Sequence, residues 1–209
     1  MAASRLVQSH QNVVEAIAEH LPHIKPRVLV PITDGSEELE TLMLADVLTR
    51  GGMHVELANV GLQKDNVVQG MHGLRIRAAQ SIEDCIYDTY DLIALPGGVG
   101  ADGLAECDVL VKMLKIQMAE KRWVAAIGSS PVAVLHAHGI LDGPATCHPA
   151  MATHIPDQYV NQAVVANDHC VTSKGPGTAI QLGLKLVQLL CGQEEANKVA
   201  KQLLSPLAL

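Results

Sequence analysis

Short, fully apolar runs alternate with longer segments of helical periodicity along most of this chain. Val28-Leu29-Val30-Pro31-Ile32, Leu92-Ile93-Ala94-Leu95 and Trp123-Val124-Ala125-Ala126-Ile127 are apolar on both alternating sides. A strand of that kind has no solvent face and belongs in a sheet covered above and below. Pro31 is read as the end of the first strand. Further strands are expected at 53–60, 163–166 and 170–173, and a small hairpin at 67–77 around Gly70 and Gly73. Helices are expected at 36–50, 109–120, 132–137, 178–191 and 194–204, the first stopping at Gly51-Gly52. The alternation predicts an α/β fold: a mostly parallel sheet, helices on both faces, right-handed crossovers. Its functional crevice should lie beyond the carboxyl ends of the strands.

The 209 residues suit one α/β domain, and 48% hydrophobic residues supply its core. That core must be aliphatic, because the chain has no Phe, three Tyr and one Trp. Few aromatics, a net charge of −7 and no Lys/Arg block argue against a nucleic-acid partner. No apolar run reaches the ~18 residues of a membrane span. Residues 1–25 read as an N-terminal helical extension, with Leu6, Val13, Ile17, Leu21 and Ile24 at helical spacing, and residues 26–209 as the domain. A mitochondrial leader is opposed by Glu15 and Glu19, with Arg5 alone basic before Lys25, so a cytoplasmic protein is expected. Cys85, Cys107, Cys147, Cys170 and Cys191 form no CxxC pair and read as reduced, mostly buried thiols. The ten histidines lack zinc-ligand spacing, and no dinucleotide fingerprint follows the first strand. Neither metal nor organic cofactor is expected.

Three loops should converge at the carboxyl edge. The first is Asp34-Gly35-Ser36-Glu37-Glu38-Leu39-Glu40. Asp34 with Glu37 fits a variant capping box, and acidic residues suit a helix start. Glu40 lies one turn further in, where a carboxyl can face the crevice and be desolvated. The second, Pro96-Gly97-Gly98, is either a turn requiring positive φ or a source of a backbone N–H for a developing oxyanion. The third is Gly128-Ser129-Ser130-Pro131, a strand-to-helix turn of the kind that displays a nucleophile in hydrolase-like sheets. Glycine holds such a turn at little cost but has nothing to attack with. Ser129 and Ser130 read as caps for a helix with Pro131 at its first position, and the Ser129 N–H as a candidate oxyanion donor.

Taken together, Gly35-Ser36-Glu37-Glu38-Leu39-Glu40, Leu95-Pro96-Gly97-Gly98, Ala125-Ala126-Ile127, Cys147-His148-Pro149 and Ser173-Lys174-Gly175-Pro176-Gly177-Thr178 resemble the motifs of the ThiJ/PfpI family. The likeness is greatest to the branch holding the parkinsonism-associated deglycase and the bacterial YajL-like proteins. It runs from about residue 27 to 204. It implies a flavodoxin-like fold, similar to class I glutamine amidotransferases, and a homodimer. Activities assigned to the family include glyoxalase III, protein deglycation, redox sensing and chaperone-like protection. The resemblance pairs an elbow cysteine with a protonated glutamate, matched here by Glu40. It matches Gly98 and the residue after the elbow, Ser129, to the oxyanion donors, and His148 to a histidine beside the cysteine. Gly97, Ser130, Cys147 and Arg50 fall at further binding positions.

This sequence departs from the pattern at two positions. Gly128 stands where the family has its cysteine, and His72 where the branch has an arginine near the dimer interface. The expectation is a member of the family with a degenerate nucleophile elbow. Such a protein would lack cysteine-dependent catalysis and act by binding a small carbonyl or carboxylate ligand, or through stress-related protein interaction. The alternative is a glyoxalase III- or deglycase-type enzyme using a displaced nucleophile, Ser129, Ser130 or Cys147.

Overall fold

Strands with no polar side need cover on both faces, and they have it in the computed structural model, which describes residues 25–61 and 65–205. Among the described residues nine strands form: β1 (Arg27–Ile32), β2 (His54–Asn59), β3 (Val67–Gln69), β4 (Arg75–Arg77), β5 (Gln80–Ser81), β6 (Leu92–Leu95), β7 (Trp123–Ile127), β8 (Val164–Asn167) and β9 (Cys170–Ser173). Seven make one sheet in the order β5-β2-β1-β6-β7-β9-β8, and β3 pairs with β4 as a separate antiparallel hairpin. Every pairing in the main sheet is parallel except β8 with β9. The order reverses between β1 and β6, the place where open α/β sheets leave a crevice.

The helices are α1 (Glu38–Arg50), α2 (Ala101–Ala105), α3 (Asp108–Ala119), α4 (Ala179–Cys191) and α5 (Gln193–Gln202). Alternate residues of each central strand feed opposite cores. Val28, Val30 and Ile32 join Leu44, Val47, Leu182, Leu186 and Val199 beneath α1, α4 and α5. Leu29, Ile93 and Val124 join Leu104, Leu110, Leu114 and Leu135 beneath α2 and α3. The result is the three-layered, flavodoxin-like α/β fold expected.

Several boundaries move. Pro31 does not end β1: it pairs in register with Ala58, and the ladder to β6 ends at Leu29 opposite Ile93, so its missing N–H costs no bond there. The first helix begins at Glu38 rather than Ser36, because Glu37 is the cap and its carboxylate accepts the Glu40 N–H at 2.6 Å. Asp34 instead accepts the Gln69 N–H of β3 at 2.8 Å. The segment after the third loop is a widened π-type turn, Pro131–His136. The expected N-terminal helix at 1–25 lies outside the described residues, apart from Lys25.

Candidate functional site

Backbone hydrogen bonds stitch the three loops together. Glu37 N–H donates to Gly97 O at 2.9 Å, and Gly100 N–H to Gly35 O at 2.8 Å. The third loop joins through side chains: Ser129 Oγ–H donates to Gly98 O at 2.8 Å and Ser130 Oγ–H to Pro96 O at 2.5 Å. Gly128 N–H donates to Ser173 O at 3.1 Å, and Gly128 O accepts the His148 N–H at 2.8 Å. The ends of β1, β6, β7 and β9 therefore meet around one point. The serine hydroxyls donate across to the adjacent loop's carbonyls, and neither accepts a helix N–H as a cap would.

Two of these positions hold the backbone at positive φ, which favours glycine. Gly98 has φ +88°, and a Cβ on it would collide with Gly35 O. Gly128 has φ +68°, and a Cβ on it would lie 2.8 Å from Glu40 Oε1 and 3.1 Å from Oε2. The carboxyl of Glu40 thus faces the turn where a nucleophile would stand.

Glu40 is 1% exposed. Its Oε2 accepts the Gly97 N–H at 2.7 Å. Burial pushes its pKa up to about 7; the Gly97 bond opposes the shift and the nearby Glu37 charge adds to it. Because Oε2 is occupied as an acceptor, a proton on this carboxyl belongs on Oε1, the oxygen nearest Gly128.

A cavity of about 410 Å³ opens over the turn. Glu40, Gly98, Gly128, Ser129 and His148 line it, with Met71, Val99, Ala133, Met151 and Pro176 supplying apolar walls. Among the described residues, neither the Gly98 nor the Ser129 N–H donates to a protein acceptor. His148 Nδ1 accepts the Ala150 N–H at 3.3 Å, which selects the tautomer with its proton on Nε2. The arrangement offers one protonatable carboxyl, two free amides and an imidazole N–H.

Glu40, Gly97, Gly98, Gly128, Ser129 and His148 therefore come together. Three other candidates do not. Cys147 is fully buried in the second core, and burial pushes its thiol up to about 11, so it is neither accessible nor activated. It adjoins His148 in sequence, but the two side chains have separate surroundings. Arg50 sits in the last turn of α1 and pairs with Asp46 at 2.6 Å, away from the cavity lining. Ser130 is buried, its hydroxyl held on Pro96 O.

One cluster escaped the sequence reading. His72, from the β3–β4 hairpin, places Nδ1 3.2 Å from Glu38 Oε2 and 3.6 Å from Glu37 Oε1. These three side chains could share a cation. They also fasten the fold. Glu38 Oε1 accepts the backbone N–H of His72 at 2.8 Å and of Leu74 at 3.3 Å, pinning the hairpin to α1. Those bonds and His72 hold the Glu38 carboxyl below its ordinary range against the cost of burial. Residues 34 positions apart carry no spacing signal that could have revealed the contact.

Comparison with known proteins gives a consistent result. A profile of the DJ-1/PfpI family matches residues 26–189. A Caenorhabditis elegans protein named glutathione-independent glyoxalase DJR-1.2 is 37% identical over 179 residues, covering 84% of this chain and 94% of that protein. Protein DJ-1 homolog B of Arabidopsis thaliana is 36% identical over 179 residues, but the chain spans only 40% of that longer relative. Among solved structures, oxidised DJ-1 of Toxoplasma gondii superposes with a TM-score of 0.84 at 36% identity, covering 87% of this chain and all (100%) of that one. Drosophila melanogaster DJ-1beta superposes with a TM-score of 0.82 at 31% identity, covering 88% of this chain and 100% of that chain.

Proposed function

The chain belongs to the DJ-1/PfpI family, and from that premise we propose that it binds small carbonyl- or carboxylate-bearing molecules over Glu40 without cysteine-dependent catalysis. The observation that carries this reading is the position of Gly128. It occupies the strand-to-helix turn with φ +68°, directly opposite the Glu40 carboxyl, and offers no atom to attack a carbonyl. What remains there, two free amides and a protonatable carboxyl, suits holding a carbonyl or carboxylate oxygen. A symmetric homodimer in the cytoplasm completes the proposal, the dimer resting on family resemblance. Sedimentation at micromolar concentration should give twice the monomer mass, and a monomer would remove that part.

A second reading draws support from the name of the nematode relative, a glyoxalase, and from Ser129, which lines the cavity. Under it, Ser129 Oγ would replace the missing nucleophile. Its hydroxyl is already donated to Gly98 O, which leaves it without an adjacent base and makes this the weaker route.

Pyruvate carries both ligand groups and tests the binding proposal by calorimetric titration. Saturable binding should be tighter at pH 6 than at pH 8. Below about pH 7 Glu40 is protonated, so its Oε1–H donates and no longer repels the ligand's carboxylate. Ala133→Phe, which fills the cavity, should abolish binding. Absence of saturable heat in the wild type, or equal binding by Ala133→Phe, would refute the proposal.

A further inference from the structure

A site that lacks a nucleophile still has chemistry open to it if it can move protons. Abstraction of a proton beside a carbonyl needs a base over the carbon, donors on the carbonyl oxygen, and no covalent bond to the protein. The cavity holds each part. Glu40 Oε1 faces the open space at Gly128. Gly98 and Ser129 offer the amides, and both residues line the same space. His148 lines the same cavity. A Cβ on Gly175 would lie 3.7 Å from His148 Cδ2 and 3.8 Å from Glu40 Oε1, so imidazole edge and carboxyl flank a common point. The Ala150 bond leaves the imidazole its Nε2–H as the donor. A carboxylate base opposed by an imidazole N–H, with amides on the oxygen, is an arrangement suited to enolisation.

The walls restrict what can enter. Met71, Val99, Ala133, Met151 and Pro176 are apolar, and Glu37 and Asp102 are the other charged lining residues besides Glu40. Among the described residues no lysine or arginine lines the cavity. Three carboxylates, with no lysine or arginine, disfavour a doubly charged phosphate ester and leave small unphosphorylated molecules as the better fit.

We propose that this cavity interconverts small uncharged α-hydroxy ketones and α-hydroxy aldehydes, with Glu40 carrying the proton between adjacent carbons. Ionised Glu40 takes a C–H proton from the carbinol carbon. That electron pair forms the C=C bond of an enediolate, and the carbonyl π pair moves onto oxygen, held by the Gly98 and Ser129 amides. His148 gives its Nε2 proton to this oxygen and takes the hydroxyl proton from the neighbouring one. Glu40 then returns its proton to the former carbonyl carbon. One carbon is oxidised and its neighbour reduced by the same two electrons, so no co-reactant is needed. The inference rests on the reading of the cavity as a carbonyl site and adds what Glu40 does to the bound molecule.

Proton NMR in D2O with dihydroxyacetone tests it. Deuterium should enter the substrate's carbon-bound positions, and deuterated glyceraldehyde should appear, at a rate proportional to wild-type protein. The rate should rise with pH through about 7 as Glu40 ionises. Glu40→Gln should lower it on the order of 100-fold or more. Glu40→Asp, which keeps a carboxylate on a shorter stem, should keep part of it. Dihydroxyacetone phosphate should exchange more slowly than dihydroxyacetone. Wild-type protein that binds pyruvate but exchanges no deuterium above buffer overturns this inference and leaves the binding proposal standing. Exchange unaffected by Glu40→Gln, or faster with the phosphate ester, overturns it as well.

Discussion

The two oxygens of Glu40 have different roles. Oε2 is tied to the Gly97 N–H, while Oε1 looks toward Gly128 and the cavity. Burial makes ionising this carboxyl costly, and the cost has a definite pH signature. Its folded pKa is raised to about 7 from an ordinary value of 4.5. The folded protein therefore holds a proton between those pH values that the unfolded chain has released. Stability is fullest below about pH 4.5 and is lost as pH rises toward 7, by on the order of 3 kcal/mol. Glu40→Gln keeps the Gly97 acceptor but cannot ionise. Its urea midpoint should exceed that of the wild type at pH 8 and approach it at pH 5. A variant less stable than the wild type at pH 8 would show that Glu40 is not a desolvated acid. Glu40 could be picked from the sequence because it follows an N-cap by one turn at the end of a buried strand. The raised pKa could be anticipated in direction only, since its size depends on how completely the fold buries the carboxyl and on the opposing bond from Gly97, 57 positions away. Cys147 and Arg50 misled for the same reason: motif position does not say which way a side chain points.

At the scale of elements, the central strands were the most legible part. β6, β7 and β9 lie at the expected residues; for β6 and β7 the reason is a continuous apolar run ended by Pro96 or Gly128, which has one good solution in a covered sheet. β5 and α2 were not expected, being two and five residues long, too short to show a period. The hairpin was visible from Gly70 and Gly73, but not its docking. A Cβ on Gly70 would lie 2.9 Å from the Glu38 carboxyl, so glycine there lets the hairpin settle onto α1. A similar close approach joins α1 to α4. A Cβ on Gly183 would lie 2.7 Å from Val47 Cγ1. Gly183→Ala gains helix propensity but overpacks this crossing, and should cost about 1–3 kcal/mol in denaturant unfolding. Val47→Ala should recover part of that loss in the double variant, because the two sites share one contact. Additive losses would mean that the helices do not meet there.

At the scale of the whole molecule, strand order and the reversal between β1 and β6 decide where the loops gather. Alternation of strand and helix implies a parallel sheet, yet strand order itself is set by long-range pairing that local pattern does not record. The site is assembled by that order: residues near 40, 97, 128 and 148 become neighbours only when β6 inserts between β1 and β7. The charge of −7 and the aliphatic core describe the solvent behaviour of the molecule and say little about its chemistry. The proposed function turns instead on one turn of one loop. Glyoxalase turnover of methylglyoxal, measured in parallel for the wild type and Gly128→Cys at equal concentration and without added thiol, tests the role of that turn most directly. Little or no turnover is expected from the wild type and a measurable gain from Gly128→Cys, since a thiol there would stand beside Glu40 and the two amides. The gain should be modest, because a Cβ must be accommodated at φ +68°. Robust wild-type turnover abolished by Ser129→Ala would contradict a site that works without a nucleophile.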